Sequence, residues 1–340
     1  MPLLSYETRK FSTSLTRPAS GTMSVSLAEL VWGAVTVGAT PISMGGTPRP
    51  LLELSWRAAM AAASVEEDRW SGRWVITDGY RRLDPSEKRA VSYFLGMTQA
   101  KIMCQRLLHA PHLLHLDAYL AMTGGLTRAS RPDLIGLSLP AMDITIAVEA
   151  KGRTGGRDDG VTRRAKEQAR SLPGVLSTSS ALRVASVASF DSRGWWQAYL
   201  EDPPGPFQPL DSLTAGALLA AYYRPLAAAV LEAGVQISDD DATTLAQLPG
   251  IDLVLGLPTV IVTAMRALPL AGLVTTGQLQ DVGATLLEGV PSLSFVSRAR
   301  TASRAGDEED VGGPQGRLSP FTGLDGVYIR LGPSWTRPPS

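Results

Sequence analysis

The chain has 340 residues, with 32 basic and 32 acidic side chains and a formal net charge of zero. This balance excludes a basic field over the whole protein, so nucleic-acid binding would need a local basic patch. Cys104 is the single cysteine, which excludes an intramolecular disulfide framework and a cysteine-based zinc cluster. A lone thiol fits a reducing compartment, and we expect a cytoplasmic protein. Arginine far outnumbers lysine, which is typical of high-GC bacterial coding.

The N-terminal part, residues 1–50, predicts an extension that is partly disordered. Residues 1–22 lack the continuous apolar segment of a secretory signal. Two apolar stretches follow, at 27–37 and 51–63, and the second predicts a helix because it is rich in alanine, leucine and methionine. Residues 72–77, "GRWVIT", predict a short strand.

The segment 84–190 predicts the order helix, strand, strand, helix, strand. Asp84, Pro85 and Glu87 form a capping-box signature at the start of the first helix, and Pro111 ends it. "RPDLIGLSL" and "MDITIAVEAKG" predict neighbouring strands around a turn at Pro140. "VTRRAKEQARSL" predicts a helix of about three turns, and "ALRVASVASF" a strand. We therefore expect an α/β core over residues 51–200.

Beyond a proline-rich boundary at 201–211, residues 201–298 predict a mainly helical C-terminal region. "SLTAGALLAAYYRPLAAAVLEAG" is helical in pattern, with Pro225 inside it. Charged and proline residues interrupt the apolar segment 250–274, which favours a buried helix or a strand pair over a membrane span. Residues 299–318 predict a disordered linker. Residues 319–340 predict a terminal strand, returning to the sheet edge, and a tail.

The main lead to function is a set of charged residues at the ends of two predicted strands. Strand alternation places Glu149 and Lys151 on one face, and Asp133 lies near the start of the preceding strand, where it can converge with Glu149. A divalent cation between two carboxylates relieves their repulsion, and oxygen ligands suit Mg²⁺ or Mn²⁺. The Ala150 carbonyl is a further candidate ligand. Lys151 would orient or deprotonate a metal-bound water and stabilise charge on a phosphate.

"PD" at 132–133 followed by "EAK" at 149–151 resembles the PD-(D/E)XK nuclease superfamily, over roughly residues 84–190. The resemblance implies a restriction-endonuclease-like mixed central sheet flanked by helices. It also implies Asp133 and Glu149 as metal ligands and Lys151 as the catalytic lysine. Members often carry a Gln or Lys on the next helix, which Gln168 and Lys166 match. Many also have an acid on the first core helix, where Glu87 stands at the N-terminus and Gln99 in the middle.

Two functions follow as expectations. The first is a metal-dependent nuclease acting on nucleic acid, chiefly DNA, in defence or repair; many enzymes of this fold dimerise, so a homodimer is expected. The second is a non-catalytic nuclease-fold protein that binds nucleic acid or a protein, favoured by the neutral net charge. The predicted phosphate contacts lie on one helix, although a solvated helix explains the same pattern: Arg163, Arg164, Lys166 and Arg170.

Aromatic and histidine groups leave further alternatives open. The three histidines, His109, His112 and His115, have a spacing that suits zinc, but interleaved leucines and Pro111 favour entry into the core. Trp195 and Trp196 with Tyr199 would stack bases or pack a helix against the sheet.

Overall fold

The fold was examined in a computed structural model, which describes residues 1–11, 19–37, 43–44, 47–48, 50–123, 131–138, 144–170, 182–202, 214–234, 236–237, 242–248, 250–269, 272–289 and 319–335. The protein is mixed α/β, with a mixed central sheet that helices flank and a second, smaller sheet. Across these ranges, no helix combines the length and apolar character that crossing a membrane requires.

The central sheet has seven strands in the order β2-β1-β11-β10-β9-β8-β7. β1 pairs parallel with β11 and β9 pairs parallel with β10, whereas the other neighbours are antiparallel. The strands are β1 (Leu3–Arg9), β2 (Ser20–Ser24), β7 (His112–His115), β8 (Leu134–Leu137), β9 (Ile144–Gly152), β10 (Leu182–Phe190) and β11 (Trp196–Glu201). The three strands predicted between 131 and 190 are confirmed; the predicted turn at Pro140 lies outside the described residues.

The N-terminus differs from the expected partly disordered extension, because β1 and β2 are part of the central sheet. Leu4, Tyr6 and Thr8 are buried while the residues between them are not, which is the period of a half-buried strand. This alternation of buried and more exposed side chains explains why residues 3–9 form a strand. The segment after β10 also differs: Trp196 begins strand β11, where a helix was the expected packing element.

The helices are α1 (Leu27–Thr36), α2 (Pro50–Ser64), α3 (Asp78–Arg82), α4 (Pro85–Leu108), α5 (Leu116–Thr123), α6 (Asp159–Arg170), α7 (Ala215–Ala233), α8 (Thr259–Met265) and α9 (276–289), with a 3₁₀ turn at Pro333–Trp335. The capping box of α4 is confirmed. The Asp84 carboxylate accepts from the backbone N–H groups of Ser86 and Glu87, at 2.6 and 3.2 Å. In return the Glu87 carboxylate accepts from the Asp84 N–H at 3.1 Å. The backbone N–H groups at the start of the helix, which have no partner within it, are thereby hydrogen-bonded.

Helices α4 and α6 cover opposite faces of the central sheet. A Cβ atom added to Gly152 would lie 1.6 Å from the carbonyl oxygen of Ser92, so this face of β9 lies against α4. By strand alternation Glu149 and Lys151 point to the other face. Glu201 shares that other face, since Ala185 is the strand partner of both glutamates. Lys166 of α6 bonds to Glu201, which places α6 there.

The described part of residues 201–298 contains more helix, in α7, α8 and α9, than strand, but it also contributes three strands to a second, antiparallel sheet that the sequence did not predict, in the order β12-β13-β14-β16-β15. Its strands are β12 (Gln236–Ile237), β13 (Thr243–Leu248), β14 (Leu253–Pro258), β15 (Phe321–Thr322) and β16 (Tyr328–Leu331). β16 lies between β14 and β15 instead of returning to the edge of the central sheet. Two short pairs complete the strands: β3 (Ser43–Met44) with β4 (Thr47–Pro48), and β5 (Val65–Glu67) with β6 (Trp74–Ile76). The predicted linker 299–318 and the boundary at 203–211 lie outside the described residues.

A buried ion pair joins the central sheet's helix α4 to the loop between β15 and β16. Lys101 and Asp325 are both fully buried, with Nζ 3.4 Å from Oδ2. The Trp32 indole N–H donates to the Asp325 carboxylate at 3.1 Å, and the Tyr222 hydroxyl donates at 2.5 Å. Burial lowers the pKa of Lys101 to about 8, against the raising effect of Asp325. The C-terminal hairpin is therefore held to the core by polar as well as apolar contacts.

Candidate active site

Asp133 and Glu149 meet at the edge of the central sheet where β8 begins and β9 ends. Leu134 pairs with Val148, so Asp133, one residue earlier, lies opposite Glu149. The backbone N–H of Ala150 donates to Oδ2 of Asp133 at 2.9 Å. The structure thus brings together the two carboxylates that the sequence predicts to converge, and it does so through strand register.

Glu149 is a buried carboxylate with one oxygen left over. Its side chain is 1% exposed, and Oε1 accepts a hydrogen bond from the Lys151 ammonium. Oε2 is buried and has no hydrogen-bond partner within the described part of the chain. Burial, and next the charge of Asp133, raise the pKa of Glu149 to about 7, although Lys151 and the backbone N–H of Asp133 oppose the shift. A buried oxygen without a partner is costly unless something else binds it.

Burial and neighbouring groups also act in opposite directions on the pKa of Asp133. Burial raises its pKa, whereas the Lys151 charge and the Ala150 N–H lower it. Two carboxylates and one ammonium leave a net negative charge when both acids are ionised. A cation in this corner would favour ionisation of both acids, because an opposite charge within a few ångströms stabilises the charged form.

The side chain of Lys151 is fixed beside the carboxylates and still meets solvent. Its exposed fraction is 29%, and its ammonium group is bonded to Glu149. The lysine therefore points to the same corner as the acids, as strand alternation predicts. Its ammonium group would be able to contact a phosphate or water bound at the corner while the backbone of Lys151 stays in β9.

The donors present fit a hard divalent cation. Two carboxylates, with the Ala150 backbone as a further candidate, are oxygen ligands, and Mg²⁺ commonly uses one or two carboxylates and keeps several waters. Among the described residues, no group of three or more His, Cys, Asp or Glu is arranged to hold a metal ion. A cation here would therefore depend on water or substrate oxygens for its remaining ligands.

Neither candidate on the first core helix contributes an acid to this corner. Glu87 is used in the capping box of α4. Gln99 is buried and its side-chain amide donates to the carbonyl of Gln197 on β11, at 3.1 Å.

Tyr93 and His115 form a hydrogen-bonded pair near the corner but on the α4 face of the sheet, and the sequence reasoning did not place them together. The Tyr93 hydroxyl lies 3.1 Å from Nε2 of His115, and the Asp117 N–H donates to Nδ1 at 3.2 Å. Burial, followed by the charge of Asp133, raises the pKa of Tyr93 to about 12. Burial also lowers the pKa of His115. The sequence signal for His115 was its position at the end of the apolar segment "HLLH". That segment is the strand that pairs with the one following "PD".

The three histidines do not meet. His109 occupies the exposed C-cap of α4, with φ of 51°. His112 is buried, and its Nε2 lies 2.9 Å from the Tyr223 hydroxyl. His115 is half-buried near Asp133. The core interpretation of His112 is confirmed, and the zinc-like spacing corresponds to no shared site.

Only some of the basic side chains of the predicted phosphate-binding helix α6 are available to a ligand. Lys166 bonds to Glu201 at 2.5 Å, and Lys10 bonds to the same carboxylate at 2.9 Å. Burial acts to raise the pKa of Glu201, but hydrogen bonds from these lysines and from Tyr199 hold it at about 2. Arg163 and Arg164 are exposed, and Gln168 is half-buried. The side chain of Arg170 lies outside the described residues.

Comparison with known proteins gave no relative: no protein-family model, no curated protein and no solved structure matches the chain.

Proposed function

We propose that the protein is a nuclease that requires Mg²⁺ or Mn²⁺ and hydrolyses phosphodiester bonds in DNA, on a restriction-endonuclease-like core. The observation that carries the proposal is the Glu149 carboxylate. It is buried, has one oxygen without a partner, and lies opposite Asp133 and beside Lys151. A hard cation would satisfy that oxygen and offset the repulsion between the carboxylates.

The chain's own residues divide the work of such a reaction. Asp133 and Glu149 would hold the cation, with the Ala150 carbonyl as a third protein ligand. A bound divalent cation supplies a water of lowered pKa and positive charge for a phosphate oxygen. Lys151 is close enough to Glu149 to position that water or donate to the phosphate as negative charge develops. The exposed guanidinium groups of Arg163 and Arg164 would contact phosphates of the nucleic-acid backbone.

The connectivity around the site also supports the proposed resemblance. Asp133 precedes one strand, and "EAK" ends the adjacent antiparallel strand. The next strand along the chain, β10, is parallel to β9 and is reached through α6, on the face where Glu149 points. Homodimerisation and a cytoplasmic location remain predictions from the sequence.

A cleavage assay tests the proposal directly. Wild type, Lys151→Ala and a control lysine variant, Lys88→Ala in the first turn of α4, are incubated with duplex DNA, single-stranded DNA and RNA in Mg²⁺, Mn²⁺ or chelator. We expect metal-dependent cleavage that falls at least about 100-fold in Lys151→Ala, since a positioned acid–base group contributes 10²–10⁴-fold. Cleavage equal in all three proteins, or none in any metal, would contradict it.

A second function, nucleic-acid or protein binding without catalysis, has one observation in its favour. Glu87 and Gln99 are both engaged elsewhere, so neither supplies an acid from α4 to the corner. Titration calorimetry separates the two functions. Divalent-ion binding that disappears in Asp133→Asn supports the enzyme, whereas DNA binding indifferent to that change and to chelator supports the binding module.

A further inference from the structure

Four basic side chains converge on the central sheet where β1 and β11 end, and the proposed reaction does not use them. We call them the basic cluster: Arg9, Lys10, Arg157 and Lys166. The two lysines share one carboxylate, that of Glu201, at 2.9 and 2.5 Å. The two arginines share another, that of Glu7, at 2.7 and 3.6 Å. Four cations are thus grouped around two acids.

The cluster carries more positive charge than its surroundings neutralise. Two further acids in this region have arginines of their own, because Asp158 lies 3.2 Å from Arg153 and the charge of Arg183 acts on Asp202. The four cations therefore keep an excess of two positive charges, on a chain whose net charge is zero. An ammonium has three N–H donors and a guanidinium five, so bonding to the two carboxylates leaves donors for a further anion.

The cluster faces solvent beside helix α6, which packs on β9 and β10. The side chains of Arg9 and Lys10 are 57% and 59% exposed, and those of Arg157 and Lys166 are 27% and 22% exposed. The two guanidinium groups lie over the ring of Tyr199, 5.9 and 3.9 Å from its centroid. Arginine stacked on a ring presents its donors in a fixed plane, which suits phosphate recognition.

The backbone at Lys10 also favours a binding role. By strand alternation Lys10 would point to the face opposite Arg9. Instead its φ is 62°, a left-handed conformation that is uncommon in residues with a side chain, and its ammonium reaches Glu201 on the face of Arg9. Backbone strain of this kind persists where the surrounding structure enforces it, and it is concentrated at functional sites.

Strand register relates the cluster to the candidate site. Arg9 is the strand partner of Glu201, and Ala185 is the partner of both Glu201 and Glu149. Paired residues point to the same face, so the cluster lies in one row with the carboxylate corner, on the α6 side of the sheet. Three strand spacings separate Arg9 from Glu149, which is about 14 Å.

Helix α6 lies between the corner and the cluster and has basic side chains on its exposed side. Its buried stripe is formed by Val161, Ala165 and Ala169. At 3.6 residues per turn, Lys166 flanks this stripe on the side of Glu201 and Arg164 on the side of the corner. Arg163 lies between them on the outer surface, and both arginines are exposed. A strand that crosses α6 from the corner would meet these arginines and then the basic cluster.

We propose that the basic cluster binds phosphates of the DNA strand on the far side of α6 from the scissile bond. This inference rests on the proposed nuclease function and identifies where the flanking part of its substrate binds. A DNA strand has one phosphate per about 3.4 Å of helix axis, so about 14 Å of sheet corresponds to roughly four nucleotides. Lysine and arginine contacts to phosphates position DNA without reading its sequence. The excess of positive charge favours a polyanion over a neutral or apolar partner.

The test measures binding without cleavage. Fluorescence anisotropy of a labelled DNA duplex is recorded in chelator, over a series of salt concentrations, for wild type and three variants. The variants are the double variant Lys10→Gln with Arg157→Gln, Glu7→Gln, and Arg266→Gln. Arg266 is the matched control, an exposed arginine at the C-cap of α8, next to the second sheet. Melting by circular dichroism verifies that each variant is folded.

We expect the double variant to bind at least about 10-fold more weakly at about 0.1 M salt. The slope of log K against log salt should become less steep by about 1.8, because each phosphate contact contributes about 0.9. Glu7→Gln should strengthen binding, because it removes a negative charge from the cluster, whereas a purely structural role for these contacts predicts weaker binding. Arg266→Gln should match wild type.

Three results overturn the cluster as a phosphate site: affinity and slope unchanged in the double variant, an equal loss in Arg266→Gln, or weaker binding in Glu7→Gln. Poly-glutamate that binds as tightly as DNA of equal charge overturns DNA as the occupant and identifies an acidic protein instead.

The outcome separates the cluster from the nuclease. DNA binding that depends on Lys10 and Arg157 in a protein that cuts nothing upholds the cluster and removes the enzyme. Metal-dependent cleavage that requires Lys151, with KM and DNA affinity unaltered in the double variant, upholds the enzyme and removes the cluster.

Discussion

The backbone N–H of Ala150 donates to the Asp133 carboxylate at 2.9 Å, a bond between residues 17 positions apart in the chain. It fixes the acid at the point where β8 begins against the last residues of β9. The geometry of the corner therefore depends on the register of two core strands and not on a loop. A one-residue slip would turn Glu149 to the face that α4 covers.

Divalent-ion binding should depend on Asp133 and strengthen with pH. We expect Mn²⁺ or Mg²⁺ to bind wild type more tightly at pH 8 than at pH 6, because the pKa of Glu149 is about 7 and a ligand carboxylate must lose its proton. Calorimetry in buffers of different ionisation enthalpy should show proton release near pH 7. Asp133→Asn should weaken binding at least about 10-fold, because even the loss of a residue that only supports a metal ligand typically costs about 10–100-fold in affinity.

Asp158→Asn is the matched control. Asp158 is exposed and caps the start of α6 by accepting from the N–H of Gly160 at 2.7 Å, a role that asparagine also performs. Metal binding that is equal in both variants, or that weakens as pH rises, would contradict the placement of the cation.

Glu149→Gln should stabilise the metal-free protein at alkaline pH. The folded-state pKa of Glu149 is raised from 4.5 to about 7, so between these values the folded state holds more protons than the unfolded state. Its stability therefore falls as pH rises through this window. Glutamine removes the titration, and we expect a gain of about 1–3 kcal/mol in the free energy of unfolding at pH 8 and little gain at pH 4.

Urea unfolding in chelator at the two pH values measures the effect. Asp133, whose pKa is also raised by burial, should behave in the same direction when changed to asparagine. A Glu149→Gln variant that is less stable than wild type at pH 8 would show that the carboxylate is satisfied without a cation.

Local patterns in the sequence were sufficient for the core of the fold and the corner of the site. The capping box at Asp84, the alternation in "ITIAVEAK" and the helix after it each correspond to an observed element. The convergence of Asp133 and Glu149 was predictable because side chains alternate between the two faces of a strand. Residues paired across neighbouring strands therefore point to the same face.

Other features required information that local patterns do not carry. β1 is a short N-terminal strand whose partner, β11, lies about 190 residues later, and such pairing is decided by tertiary contact. The second sheet combines strands on both sides of a long insertion, such as β14 and β16. Tyr93 and His115 meet across α4 and β7, so only the packing of those elements brings them together.

Gly152 should tolerate no side chain. A Cβ at this position would lie 1.6 Å from the Ser92 carbonyl oxygen, which belongs to the rigid backbone of α4. We expect Gly152→Ala to lower the free energy of unfolding by about 2–3 kcal/mol or more, since overpacking forces the backbone to shift. Because Lys151 precedes Gly152, cleavage should fall with it.

Gly155→Ala is the control, in the loop that follows β9. A Cβ there would meet nothing within 4 Å, so stability should change little. Thermal unfolding of both variants checks the prediction, and equal melting temperatures would show that α4 and β9 are not in close contact at this point.

The buried pair of Lys101 and Asp325 should contribute strongly to the attachment of the C-terminal hairpin. Asp325→Ala leaves a fully buried ammonium group without its counter-charge and removes the acceptor for Trp32 and Tyr222. We expect a loss of about 3–5 kcal/mol in the free energy of unfolding, as for other broken buried pairs.

The matched control is Asp78→Ala, which breaks an exposed pair with Arg81 at 3.8 Å, where the side chains are 82% and 47% exposed. Its loss should stay below about 1 kcal/mol because solvent screens the charges. A double variant, Lys101→Met with Asp325→Ala, should recover part of the stability by removing the stranded charge. Equal losses for the buried and exposed pairs in urea unfolding would mean that the ion pair does not hold the hairpin, and that other contacts, such as Trp32 against Phe321, do.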